Sequence, residues 1–298
     1  MAFNTSTLPS YVDQNRLPLL ANAVLKSKSA SLFNLQTDVK TSAAITLINA
    51  TPVFQEGGCG WNAQGDVRLT QRIIETGLVK INMEFCDKDL MKSWLQFDVK
   101  AGLSNDALPF EEYFVNGIVE KVKEGVEKAI WQGDTLSSDA TLKHTDGLLK
   151  ILNSAAGVIK PTVAESGAYE AIKTVYMAIP EAVLDKAVIL VGADTFRTFV
   201  QELVEKNFYH YSGNAEVAEI MLPGTNTKII AVNGLNGTGK VIASALDNLY
   251  YGCDMMNDAE TFDIWYSKDF QAHRFAMSFN FGVQVAFPDE VVMGAVKA

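Results

Sequence analysis

Phe275, Met277, Phe279, Phe281, Val283, Val285 and Phe287 are all apolar, and Ala276, Ser278, Asn280, Gly282, Gln284 and Ala286 separate them. An alternation held this long predicts a single β-strand near 40 Å in length at about 3.3 Å per residue. Ordinary strands reach about half of that or less. Such a strand needs a long apolar surface on one side and a partner along its edge. The 298-residue chain can supply both, as one large domain or two smaller ones.

A helix is the obvious covering element. Pro109 suits a first helical position, Glu111 and Glu112 favour the positive end of the helix dipole, and the pattern runs to Trp131. Val115, Ile118, Val119, Val122, Val126, Ala129 and Ile130 form its apolar stripe. Glu120, Lys121, Lys123, Glu124, Glu127 and Lys128 form the opposite face, with Glu124 and Lys128 spaced as an i, i+4 pair. That charged face reads as solvated or as a contact surface. The helix stops at Trp131-Gln132-Gly133-Asp134, and the chain re-enters regular structure at Asp146-Gly147-Leu148-Leu149.

Upstream lies a second long period-two pattern. Ala44 to Phe54 is rich in strand formers, and Gly57 to Asp66 is glycine-rich around Trp61. Val67, Leu69, Gln71 and Ile73, then Val79, Ile81, Met83 and Phe85, alternate with mainly polar neighbours. The whole reads as a long hairpin with a glycine-rich tip. An isolated two-stranded ribbon is marginal in water, so this one should lean on something, a second subunit being the simple candidate. Residues 1 to about 42 read as an arm rather than core, pinned when ordered by a neighbouring subunit. Its one short helix carries Leu17, Leu20, Ala21, Val24 and Leu25 on one face.

The middle of the chain alternates helices and strands, as in a compact α/β unit. Ile172, Val175, Tyr176 and Ile179 mark a helix ended by Pro180, and Ala187 to Gly192 reads as a buried strand. Asp194 is the expected N-cap of a helix whose apolar positions are Phe196, Phe199, Val200 and Leu203.

The formal net charge of −10, with no Lys/Arg run, disfavours a direct grip on nucleic-acid phosphates. Cys59, Cys86 and Cys253 are an odd count without a C-x-x-C pair and read as reduced thiols. No apolar run approaches the ~20 residues of a membrane span. Gly234 to Lys240 fits the G-x-x-x-x-G-K phosphate loop, but Val241 stands where Ser or Thr should ligate magnesium. A returning strand is expected after it, making the stretch the turn of a hairpin. Asp254, Asp258, Glu260 and Asp263 lack the spacing of a calcium loop and read as turn and cap residues. Neither G-x-S-x-G nor H-E-x-x-H occurs, so no enzyme, cofactor or metal is expected.

Arm, glycine-tipped hairpin, long helix, α/β middle and long terminal strands together resemble the Hong Kong 97-type major capsid proteins of tailed bacteriophages. The residues that carry the resemblance are Gly57 to Asp66, Pro109 to Trp131, and Gly133-Asp134 to Gly147-Leu148-Leu149. Asn248-Leu249-Tyr250-Tyr251-Gly252 and Phe275 to Phe287 complete it. The resemblance implies an α+β fold with an N-arm (1–42), an E-loop hairpin (43–86), a P-domain with a spine helix (87–144), an A-domain (145–245) and P-domain return strands (246–298). It implies hexamers and pentamers of this chain closing into an icosahedral shell around double-stranded DNA. Portal protein and separate scaffolding and cement proteins would be partners, no membrane would be involved, and the shell would assemble in the host cytoplasm and end in the virion.

In that reading the E-loop lies across a neighbour's P-domain. Gly58, Gly60, Trp61, Asn62, Gln64 and Asp66 are then contact residues at the tip, and Glu120, Lys121, Glu124 and Lys128 form the charged spine face. Trp61 either anchors in the neighbour or packs on its own hairpin. The tip carries no lysine, Lys80 being the nearest, so covalent cross-linking through an E-loop lysine is not expected. Some members of that family begin with a fused scaffolding segment and only about 42 residues precede the hairpin here, so either a separate scaffolding protein is expected or the arm suffices. An encapsulin-type nanocompartment is the alternative, and a nucleotide-binding enzyme using Gly234 to Lys240 is a remote one.

Overall fold

The computed structural model describes residues 8–57, 59, 61, 64–86, 110–206, 219–254 and 261–297. The N-terminal part holds α1 (Leu8–Leu25), α2 (Lys28–Leu32), β1 (Asn34–Gln36), β2 (Ser42–Pro52), β3 (Gly65–Glu75) and β4 (Gly77–Phe85). The spine helix α3 (Phe110–Gln132), α4 (Leu148–Ser154), α5 (Ala168–Met177), β5 (Ala187–Val191) and α6 (Ala193–Glu205) follow. The rest is β6 (Glu219–Met221), β7 (Lys228–Ala231), β8 (Lys240–Ala245), β9 (Leu249–Cys253), β10 (Thr261–Ser267), β11 (Ala272–Val285) and β12 (Val292–Ala295).

The terminal alternation becomes β11, 14 residues long, with Phe275, Met277, Phe279, Phe281, Val283 and Val285 all buried. β11 organises the first sheet: β10 and β9 pair with successive parts of one edge, β4 runs along the other, and β1 joins beyond β9. Its apolar face meets the spine helix, whose Val115, Val119, Val122, Val126, Ala129 and Ile130 are buried as the periodicity predicts. Pro109 lies outside the described residues.

Three expectations change here. The hairpin is shorter than the alternation predicts, because the returning run divides at Thr76. β3 pairs with β2 from Gly65 opposite Pro52 to Glu75 opposite Ser42, whereas β4 leaves the ribbon and pairs with β11. The reason is burial: Val79, Ile81 and Phe85 pack on the first core, which β2 could not offer them. A period of two is the same in a free ribbon and in a sheet strand, so sequence could not separate them.

The arm, secondly, is held by its own chain. Leu19, Leu20, Ala23 and Val24 of α1 are buried, whereas Ala21 and Leu25 are only partly covered; the helix bends at Asn15 and continues across Pro18. Val24 accepts a hydrogen bond from the Tyr251 hydroxyl at 3.1 Å, and β1 adds to β9. Thirdly, Glu127 belongs to the core rather than the charged face. It is 5 % exposed and its carboxylate accepts from the Ser29 amide at 2.9 Å and the Ser29 hydroxyl at 2.5 Å. The same hydroxyl accepts from Trp131 Nε1 at 2.6 Å, so the buried carboxylate, hydroxyl and indole N–H are all paired.

The second sheet has the order β12-β8-β5-β7-β6. β5 is parallel to β7 and antiparallel to β8, so β7 and β8 flank it and do not pair with each other. The expected hairpin around Gly234 is therefore a connection that crosses the end of β5. An all-apolar strand such as Ala187–Val191 is stable only at a sheet centre, and it takes both neighbours. α5 and α6 pack beside this sheet through Ile172, Val175, Phe199 and Leu203. β12 closes its edge against β8, so the last strand belongs here and not to the first sheet.

Candidate assembly surfaces

The ribbon exposes what a single chain would ordinarily bury. On one face, Ile48 pairs with Leu69 and lies beside Val67 and Ile73, and their side chains are 65 %, 67 %, 68 % and 56 % exposed. The opposite face is covered near its base, where Ile45, Leu47 and Ile74 pack with Val39 and Ala286. At the tip, Phe54 is 98 % and Trp61 95 % exposed, so Trp61 does not pack on its own hairpin. Gln64 and Asp66 are exposed beside it, and Asp66 pairs with Arg68 at 2.6 Å. Gly58, Gly60 and Asn62 lie outside the described residues. Phe54 was not singled out from the sequence, although an aromatic directly before a glycine-rich turn is the available signal.

On the spine helix, Glu120, Lys121, Glu124 and Lys128 all face solvent. The ion pairs are spaced i, i+3, Lys121 with Glu124 at 2.8 Å and Glu120 with Lys123 at 3.3 Å, so Glu124 pairs with Lys121 in place of the expected Lys128. Exposed pairs of this kind contribute little to stability. One flank of the helix is closed by the arm through Ser29. The other borders a groove of about 980 Å³, walled by Val79, Ile81 and Met83 of β4 and by Ile118, Lys121 and Gly125 of the helix. Sequence reasoning did not foresee this groove.

The helix-stop passage is built by close approach. A Cβ on Gly133 would overlap the Thr145 and Ala129 carbonyls, and one on Gly147 would overlap Trp131 and Gly133 backbone. Gly147 N–H donates to the Gly133 carbonyl at 2.8 Å, which ties the two ends of the loop together. Lys150 clamps them further, at 2.7 Å from both Asp134 and Asp146. Its hydrogen bond and the Leu136 amide hold the Asp134 carboxyl below the usual range. Burial pushes Asp146 upward, but hydrogen bonds from Lys150 and Thr135 outweigh it and leave that carboxyl lowered. Lys150 is raised by the same two partners, Asp134 first.

The phosphate-loop look-alike has a structural role. Gly234 sits where a Cβ would strike the Trp131 ring and the Glu127 carbonyl, and Gln132 Nε2 donates to the Gly234 carbonyl at 2.6 Å. Asn236 caps α6 by accepting from the Ala193 amide at 2.6 Å, and Asp194 accepts from Gly237 N–H at 2.8 Å. Gly192, not Asp194, is the cap residue, and Asp194 instead staples the loop to the helix. Lys240 opens a strand, so the loop is not followed by the helix that a phosphate loop requires. The loop docks the α/β unit onto the spine helix. Among the described residues no group of three or more His, Cys, Asp or Glu is placed to hold a metal, and no helix is long and apolar enough to cross a membrane. Asp258 and Glu260 lie outside the described residues; Asp263 pairs with Arg16 at 3.8 Å.

No protein-family model and no curated protein sequence matches the chain. Solved structures do. A chain of the satellite phage P4 procapsid, whose structure includes the size determination (Sid) protein, is similar at 13 % identity and a TM-score of 0.64, over 99 % of this chain and 91 % of that one. The capsid of an empty GTA particle is similar at 10 % identity and 0.61, over 91 % and 90 %. The virus-like particle from Pyrococcus furiosus is similar at 14 % identity and 0.50, over 94 % and 97 %. Likeness at this identity carries the fold, and it covers nearly the whole length: the chain has the Hong Kong 97-type α+β fold of phage major capsid proteins.

Proposed function

We propose that this chain is the major capsid protein of a tailed bacteriophage, a structural protein without catalytic activity. Copies of it form hexamers and pentamers that close into an icosahedral shell around double-stranded DNA. The observation that carries this reading is the ribbon: Ile48, Val67, Leu69 and Ile73 stand in solvent, whereas β5, β8 and β11 bury their apolar residues. At about 25 cal/mol per Å², covering such a face favours association before the costs of ordering. The charge of −10 supports DNA that is enclosed rather than gripped.

The division of labour follows the two sheets. An N-arm clasps the spine helix, the ribbon is the E-loop, the spine helix with the β11 sheet is the P-domain, and the β5 sheet with α5 and α6 is the A-domain. The tip residues Gly58, Gly60, Trp61, Asn62, Gln64 and Asp66, with Glu120, Lys121, Glu124 and Lys128, supply contacts between subunits. A portal protein and separate scaffolding and cement proteins complete the particle, which assembles in the host cytoplasm and ends as the virion shell. The likeness to the Pyrococcus furiosus virus-like particle supports a second reading, a nanocompartment shell that houses a protein cargo.

Purified particles decide between the two. Nuclease-protected double-stranded DNA of uniform length inside shells made in infected cells supports the virion reading. A single co-purifying enzyme inside DNA-free shells overturns it in favour of the compartment.

A further inference from the structure

A second cavity lies where the ribbon joins the first sheet. Its volume of about 610 Å³ is that of a small-molecule pocket, and its walls are the base of β3, the helix-stop loop, α4 and β11. One corner is closed by backbone, since a Cβ on Gly77 would strike the His144 carbonyl and crowd the Thr145 side chain. Part of the wall is apolar, with Ile151 and Ala155 from α4 and its end and Val283 from β11.

Three polar side chains of the lining keep hydrogen-bonding capacity that the chain does not use. A guanidinium carries five N–H donors. That of Arg72 makes a single long bond, from Nη2 to Gln284 Oε1 at 3.5 Å, and its buried Nε has no partner among the described residues. Thr145 is only 5 % exposed, and neither its hydroxyl nor the His144 ring is hydrogen-bonded to a described residue. Buried polar groups are ordinarily paired, and leaving them unpaired is costly. The carboxylates of the lining do not meet this need. Asp146 is engaged by Lys150 Nζ at 2.7 Å and by the Thr135 amide at 2.8 Å. Glu75 is exposed, and strand alternation sets its side chain on the face of β3 opposite Arg72.

We propose that this cavity binds a small molecule with an oxyanion head, a phosphate or a carboxylate, on an apolar body. The head takes the Arg72 guanidinium, the Thr145 hydroxyl and the His144 N–H. The body lies on Ile151, Ala155 and Val283. Arginine suits the head because its planar fork meets two oxygens at once. A bound oxyanion ties β3 to the helix-stop loop and so fixes the base from which the ribbon projects. The site lies within one subunit and stands apart from the shell-forming reading.

Isothermal titration calorimetry of the full-length protein tests this with phenyl phosphate and benzoate, which share an apolar ring and differ in the head. Saturable binding at one site per chain is expected, and the tighter of the two identifies the head as phosphate or carboxylate. Arg72→Gln should weaken binding about tenfold or more. Arg68→Gln, four residues along the ribbon and outside the cavity, should leave it unchanged. Thr145→Val keeps the side-chain shape and should weaken binding about fivefold, which maintains the test if Arg72→Gln lowers the melting temperature. Absence of saturable heat with both ligands would overturn the proposal. Equal losses in Arg68→Gln and Arg72→Gln would overturn it too, because binding would then follow overall charge and not this cavity.

Discussion

β5 and β3 are both rich in branched apolar side chains, and they meet opposite fates. In β5, Ile189, Leu190 and Val191 are fully buried between β7, β8 and the flanking helices. In β3, Val67, Leu69 and Ile73 face solvent on a two-stranded ribbon. β5 thus finds its cover within its own chain, Ile189 and Val191 with α5 and α6 and Leu190 in the spine-helix core, and its residues determine whether one subunit folds. The ribbon leaves its apolar face exposed, and in the proposed reading its residues determine whether subunits join. Substitutions in the two regions should separate stability from assembly.

The largest contrast is expected from deleting Gly58 to Gly65. The subunit should keep its melting temperature within about 2 °C, since surface changes away from the core alter stability by about 0.5 kcal/mol or less, yet form no closed particles by electron microscopy. Normal particles would break the contrast. Phe199→Ala reverses it: a fully buried ring is lost from the α/β core, and denaturant titration should show a loss of about 3–5 kcal/mol. Ser29→Ala removes the hydroxyl shared by Glu127 and Trp131, leaving both with an unmet buried hydrogen bond. That costs about 1–3 kcal/mol and loosens the arm, read as faster amide exchange over α1 and α2.

Acid should act on the loop between the spine helix and α4. The lowered Asp134 and Asp146 carboxyls contribute stability above the unfolded carboxylate value of about 3.9, and it is lost as pH falls through their lower folded values. Lys150 is raised, so its contribution persists below about 10.4 and is lost only as pH rises through its higher folded value. Lys150→Met should flatten the acid limb of the stability curve; an unchanged limb would remove the clamp from the account. The smallest effect on folding is expected from Leu69→Thr, about 0.5 kcal/mol or less because the side chain is exposed. Particle yield should nevertheless fall. A clear drop in subunit stability with normal yield would place Leu69 among the folding residues instead.

Periodicity made much of this legible. The stripe on the spine helix, the face of β11 and the burial of β5 each follow from spacing, because burial there is decided within a few turns or one pleat. What escaped was non-local. The alternation from Val67 to Phe85 is continuous in sequence, but the chain changes partners at Thr76, and only the presence of β11 dictates that. Glu127 looks like any helix-surface glutamate until α2 arrives with Ser29. The turn signals at Asn233-Gly234 and Asn236-Gly237 suggested a hairpin because sequence cannot show that β5 occupies the space between β7 and β8. Trp61 was legible as a tip residue. Its direction, away from its own ribbon, required the fold.

The measurement that bears most directly on the central claim is cryo-electron microscopy of the purified full-length protein, with native mass in parallel. The account predicts closed icosahedral shells, or hexamers and pentamers, with the ribbon of each subunit lying on a neighbour. A protein that stays a stable monomer or small oligomer across protein concentration and ionic strength would contradict it.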